Sequence, residues 1–209
     1  QTDDNSLWIR EGMMQLIANV LFVEDPHQQG MYHPRIEAWH GLPIEAIAAP
    51  EERDAYIRLY NNYFYQRHNF YWGQTAMKRL SDTVAHTRLL ICAEDLGQIP
   101  DCVEPVLDDL RILTLEVQTM PKQQGCEFGH TQAYPYRSVC TVGTHDMPPL
   151  RLWWEENPQR TQRYYVTMLQ KESRAPEHLP AHLAEEILAR HLYSPSMLCM
   201  LALQDWLAI

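Results

Sequence analysis

"RLLICAEDLGQIPD", residues 88–101, opens as an apolar run, stops at two adjacent carboxylates, Glu94 and Asp95, and turns at Gly97. Three further runs share its texture: "ILTLEV" (112–117), "SVCTVG" (138–143) and "LCMLAL" (198–203). Each is continuous instead of alternating, the pattern of strands buried on both faces of a parallel sheet. Helical stretches lie between them: "PDCVEPVLDDL", "PPLRLWWEEN", "QRTQRYYVTMLQ" and "AHLAEEILARHL". Strand and helix alternate, so the sequence predicts an α/β architecture with right-handed crossovers.

The preceding residues read differently. "SLWIREGMMQLIANVLF" spaces its apolar residues for a helix, with Ser6 as N-cap. Residues 23–43, "VEDPHQQGMYHPRIEAWHGLP", read as a long loop. A second helical region opens at Pro50, with Glu51 and Glu52 placed to suit the helix dipole. Tyr56, Leu59, Tyr60, Tyr63 and Phe64 form its aromatic face, read as core with sugar stacking as the minor alternative, and a break is expected near Gly73. The chain therefore divides into a helical part, 1–87, and an α/β part, 88–209.

Composition narrows the classes. The 209 residues are 45% hydrophobic, enough for one packed core. A formal charge of −10 disfavours nucleic acid and anionic membranes, which attract Lys and Arg excess. No apolar run reaches the roughly 18 residues of a spanning helix. The N-terminal "QTDDNSLWIREG" has no signal-peptide pattern and no Met, and reads as a cut or processed chain. Five cysteines without a CxxC pair read as reduced, buried thiols of a cytoplasmic protein. His33, Glu37 and His40 have ligand chemistry, but the i, i+4, i+7 spacing serves a metal only on a helix, and Pro34 and Gly41 oppose one. Loop histidines bonded to backbone are expected there, and no metal or cofactor.

The four runs all end in polar residues: Glu94 and Asp95; Glu116 and Gln118; Thr144, His145 and Asp146; Gln204 and Asp205. In parallel α/β folds the strand carboxyl ends open onto one rim, where ligands bind. Asp205 is expected to be a cap or turn former. Glu116, inside a buried strand, needs a partner, and structural and substrate-binding roles both remain open. Glu94 and Asp146 follow runs too apolar to hold ions without purpose. Paired carboxylates across a pocket suit glycoside chemistry, in which one protonates the leaving oxygen while another, about 5–5.5 Å away in retaining enzymes, attacks the anomeric carbon.

"CAEDLGQIPDCVEPVLDDLRILTLEVQ", "EFGHTQAYPYRSVCTVGTHDM" and "SPSMLCMLALQDWLA" resemble the 4-alpha-glucanotransferases of glycoside hydrolase family 77, the amylomaltases or disproportionating enzymes. "VLFVEDPHQQGMYHPRI" and "RLYNNYFYQRHNFYWGQTAMKRL" resemble the maltose-using cytosolic branch of that family. The resemblance implies a metal-free (β/α)8 TIM barrel, of which this chain holds a helical insertion and then about strands five to eight. It implies Glu94 as general acid/base, Asp146 as the residue that holds substrate hydroxyls and stabilises the transition state, and His145 as a sugar ligand. It gives Asp95 and Gly97 the turn, with a substrate contact from Asp95 as the alternative. The reaction implied is retaining transfer of alpha-1,4-glucosyl or glucanyl units among maltose, maltooligosaccharides and alpha-glucans. Tyr134, Tyr136, Trp153 and Trp154 are candidates to shield the mouth from water.

The family's nucleophile sits in an Arg-x-Asp-His motif that these residues lack; Asp25 and Asp82 follow neither a buried strand nor an Arg in register. The chain is therefore expected to be an excerpt, inactive alone, with open sheet edges that favour self-association or the missing barrel half. Two rivals stand beside this reading. One is a self-contained hydrolase with Asp146 as nucleophile; the other is a glycan-binding half-barrel without catalysis.

Overall fold

A computed structural model describes residues 4–97, 99–123 and 125–207. The chain divides into two compact units, residues 1–72 and 73–209.

The first unit begins with helix α1 (Asp4–Ala18), which starts two residues before the expected cap Ser6. The segment expected to be a loop contains strands β1 (Phe22–Glu24) and β2 (Tyr32–Pro34), paired antiparallel, and a short helix α2 (Leu42–Glu45). Three-residue strands leave too little periodicity to be read from sequence. Helix α3 (Pro50–Asn61) starts at Pro50 as expected and continues through a π-helical stretch, Asn62–His68, into α4 (Asn69–Ala85). Gly73 does not break it. A Cβ at Gly73 would sit 3.3 Å from the Cys102 Cβ, so the glycine serves a close approach within the second unit. The aromatic face is largely core: Tyr56 and Tyr60 are buried with Ala38 and Ile44, and Phe64 packs against them. Leu59 is exposed.

His33 takes side-chain partners instead of the expected backbone ones. Its Nε2 lies 2.8 Å from Asp25 Oδ2, and its Nδ1 lies 2.8 Å from the Tyr63 hydroxyl. The hairpin connection is thereby pinned to the π-helical stretch. The His27 amide donates to Asp25 and, with His33, holds its carboxyl below the ordinary range.

The second unit holds the α/β sheet. Strands β3 (Thr114–Val117), β4 (Ser138–Thr141) and β5 (Leu198–Cys199) pair in parallel in that order. The first apolar run joins at the β3 edge. Cys92 bridges Leu113 in parallel, and the Ala93 amide donates to the Leu113 carbonyl at 2.8 Å. All four apolar runs thus lie side by side and point the same way.

Burial on both faces holds for β4, whose four residues are all buried. It fails at the edges, where Leu89, Leu90 and Leu198 are exposed, because an edge strand has one neighbour where β4 has two. The last run is also shorter than expected: pairing ends with the Met200 amide on the Cys140 carbonyl, and Leu203 already belongs to helix α9 (Leu203–Leu207).

The connections are the expected helices: α5 (Val103–Leu110), α6 (Leu150–Glu156), α7 (Pro158–Thr167) and α8 (Ala181–Leu192). α8 buries Leu183, Ala184, Ile187, Leu188 and His191, a single 3.6-residue face. It packs with Trp153, Trp154 and Tyr164 in the main core. The rings of Phe128 and Trp153 meet Tyr164 edge-on at 5.1 and 5.3 Å. Burying one such aliphatic or aromatic side chain contributes about 1.5–3 kcal/mol. Of the five free cysteines only Cys140 is buried, and Cys92 is exposed, so the buried-thiol expectation holds at one position.

Candidate functional site at the strand carboxyl ends

The rim begins where the first run ends. Glu94 is exposed and, among the described residues, makes no hydrogen bond or ion pair. Gly97 takes φ 79, a left-handed turn that an L side chain resists, and so redirects the chain just past the carboxylates.

Asp95 is held on every side. Its Oδ1 accepts the Leu115 amide at 2.8 Å, and its Oδ2 accepts the Thr114 hydroxyl and lies 2.7 Å from Lys122 Nζ. Lys122 also donates to Thr114 and lies 3.3 Å from Glu116 Oε1. Glu116, which needed a partner, has found one. Burial pushes its carboxyl above the ordinary carboxylate range, although Lys122 pulls the other way.

At the end of β4, Thr144 builds a turn. Its hydroxyl accepts the Asp146 amide at 3.4 Å and its carbonyl accepts the Met147 amide at 3.1 Å. The turn lifts His145 and Asp146 into solvent, with side chains 84% and 73% exposed and His145 Nε2 3.4 Å from Asp146 Oδ1. Thr119, after β3, donates its hydroxyl to the Val142 carbonyl at 3.0 Å and ties the two strand ends together.

A cleft of about 380 Å³ opens here, lined by Thr119, Thr144, His145, Met147, Trp153 and Asp205 among others. Its walls come from the carboxyl ends of β3 and β4, the segment after β5 and the start of α6. Asp205 forms part of the wall, is buried, and accepts the Leu150 amide through Oδ1 at 2.8 Å. It lies inside α9 and is not the local cap or turn former expected after its own strand; its structural role is long-range, as acceptor for the first amide of α6.

The four candidates fall into three groups. His145 and Asp146 are together, with His145 on the cleft. Asp95 is bound to β3 and Lys122. Glu94 emerges from the segment on the far side of β3, so its strand axis lies about 10 Å from that of β4 at a strand spacing of 4.7–4.9 Å.

Among the proposed shielding aromatics, Trp153, Trp154 and Tyr134 are buried in the core and only Tyr136 stands exposed. Gln118 is also structural: its Oε1 accepts the Tyr164 hydroxyl at 2.7 Å and its Nε2 donates to the Gly129 carbonyl. Sequence reasoning missed Lys122, Thr114 and Thr119. A lysine shortly after an apolar run that carries Glu116 was the available signal.

The family profile described as 4-alpha-glucanotransferase matches residues 8–209. The 4-alpha-glucanotransferase DPE2 of Oryza sativa subsp. japonica is 33% identical over 214 residues, which cover 100% of this chain and 22% of the rice protein. A 4-alpha-glucanotransferase of Haemophilus influenzae is 38% identical over 65 residues, 31% of this chain and 9% of the relative. Among solved structures, an amylomaltase from Streptococcus agalactiae in complex with acarbose aligns with TM-score 0.46 and 18% identity, over 64% of this chain and 26% of that one. The chain thus spans about a fifth of the length of the rice relative.

Proposed function

The chain belongs to glycoside hydrolase family 77, the 4-alpha-glucanotransferases, and from that premise we propose that residues 88–209 form the acid/base side of a retaining transglycosylation site in a (β/α)8 barrel. Glu94 is the general acid/base. It protonates the departing 4-oxygen of an alpha-1,4-glucan, then takes the proton from the 4-hydroxyl of the acceptor, and a new alpha-1,4 bond forms. Its exposure at the rim suits a group that must exchange a proton with two successive sugars. Asp146 holds substrate hydroxyls and steadies the positive charge that develops on the ring. His145, on the cleft wall, donates to the sugar at the scissile bond. Asp95 is assigned to the turn, since both its oxygens already accept protein donors.

The nucleophile of this double displacement is assigned to sequence outside these 209 residues, because no Arg-x-Asp-His motif occurs in them. Substrates are maltose, maltooligosaccharides and longer alpha-glucans. The single observation that carries the reading is the parallel pairing of the four apolar runs, which brings their carboxyl ends to one edge beside a cleft.

In the intact transferase carrying this sequence, Glu94→Gln should abolish transfer between maltooligosaccharides and leave sugar affinity within a few-fold of the parent. Equal loss of affinity and rate would give Glu94 a structural role and overturn the assignment.

A further inference from the structure

We propose that Lys122 is a positioning residue for Glu94: its ammonium joins Asp95 and Glu116 across β3 and thereby fixes the turn that presents Glu94 at the rim. The inference rests on the acid/base reading of Glu94 and extends it to a group that touches no substrate.

Among the described residues the Glu94 side chain makes no hydrogen bond or ion pair, so what these residues fix is its backbone. The next residue is the fastening point. Asp95 bonds the Leu115 amide and the Thr114 hydroxyl of β3, and Lys122 at 2.7 Å. Lys122 closes the cluster through Thr114 and Glu116. Three segments meet at this one ammonium: β3, the loop that follows it, and the turn after the first run, which is distant from both in sequence.

The cluster is shielded from water, with side chains of Asp95, Glu116 and Lys122 only 9%, 14% and 22% exposed. The other titratable groups facing it add no positive charge. Cys92 faces Asp95 and Lys122, Glu104 of α5 faces Glu116, and so does Tyr134. Among these groups Lys122 is the one cation. Without it two carboxylates confront each other in a place where ionising both is unfavourable. Either one takes a proton or Asp95 swings away, releasing Leu115 and Thr114 and with them the backbone of Glu94. A misplacement of about 1 Å in a reacting group can cost about 10²-fold in rate.

Lys122→Met, Lys122→Arg and the double variant Asp95→Asn/Lys122→Met test this in the intact transferase, with Glu94→Gln as reference. kcat and KM for maltooligosaccharide transfer are measured from mildly acidic to mildly alkaline pH. Lys122→Met should lower kcat by about 10²-fold with KM little changed. Its deficit should deepen as pH rises, because Glu116, whose carboxyl burial holds above the ordinary range, then ionises beside Asp95 with no cation between them. Lys122→Arg should keep most of kcat, because a guanidinium still bridges the pair. The double variant should recover part of the lost rate, because a side-chain amide at position 95 keeps an acceptor for Leu115 and removes the repulsion.

A Lys122→Met enzyme with parental kcat, with a loss confined to KM, or with the same deficit at every pH overturns the proposal. So does a double variant no better than the single one. If Lys122→Met fails to fold, Lys122→Arg must keep most of kcat while Asp95→Asn/Lys122→Met loses part of it with KM unchanged; parental kcat in the double variant, or an equal loss in Lys122→Arg, overturns the proposal. Should Glu94→Gln itself turn over, the acid/base reading falls first; if Glu94→Gln is dead and Lys122→Met is unaffected, only the positioning inference falls.

Discussion

Replacing Asp205 by Ala separates scaffold from ligand in the cleft wall. Asp205 is 5% exposed, and its Oδ1 accepts the Leu150 amide at 2.8 Å, the first donor of α6. A hydrogen bond to a charged group contributes about 1.5–3 kcal/mol, and loss of a helix cap costs about 0.5–2 kcal/mol. These describe one interaction and are not summed, so about 2 kcal/mol is the expected cost of Asp205→Ala. Asp205→Asn keeps an acceptor oxygen and should cost about 1 kcal/mol, the difference between a hydrogen bond to a charged group and an ordinary neutral one.

Amide hydrogen exchange at Leu150 reads the effect locally. Protection there should fall about 30-fold in Asp205→Ala, since about 1.4 kcal/mol is a factor of ten, and less in Asp205→Asn. Maltooligosaccharide affinity, followed by calorimetry on the same samples, should change little. Unchanged protection at Leu150 together with lost sugar affinity would refute the capping argument and make Asp205 a ligand.

Further outcomes follow from the same structure. Glu116 has a folded-state pKa above its ordinary value of 4.5, so the folded chain holds the proton more tightly than the unfolded one. Its contribution to stability is therefore full below that ordinary value and declines as pH rises through the higher folded value; Glu116→Gln should flatten this decline in urea titrations at stepped pH, and an unchanged slope contradicts it. Tyr164→Phe leaves the buried Gln118 Oε1 without its donor and should destabilise by about 1–3 kcal/mol in thermal unfolding. The exposed Leu89 and Leu198 at opposite edges of the sheet predict concentration-dependent association of the isolated chain, and light scattering that reports a monodisperse monomer at all concentrations argues against it.

The four apolar runs were legible because strands in a parallel sheet share a simple requirement, continuous apolar character, and their ends share another, polar groups at the rim. Helices α5 to α8 were legible for the matching reason, since each buries one face. What escaped the sequence is short or non-local. β1 and β2 have three residues each, and the π-helical stretch 62–68 has the same side-chain pattern as the α-helix around it. Gly73 reads as a breaker until Cys102 is seen packed against it. Trp153 and Trp154 are rim candidates by sequence, and the packing of α6 with Tyr164 buries both, with Trp153 still lining the cleft. At the site, Glu94, His145 and Asp146 are marked by position after apolar runs. Lys122 is not, because its role depends on a loop folding back across β3.

For Glu94 and Asp146 to act as proposed, sugar must meet the chain at the carboxyl ends of its parallel strands. Titration of a maltooligosaccharide into the isotope-labelled chain, followed by amide resonances, tests this most directly. The expected shifts are at Glu94, Thr119, Thr144, His145 and Asp146. Shifts confined to the opposite ends of the strands, around Ile112 and Arg137, or to the hairpin of the first unit, would contradict it.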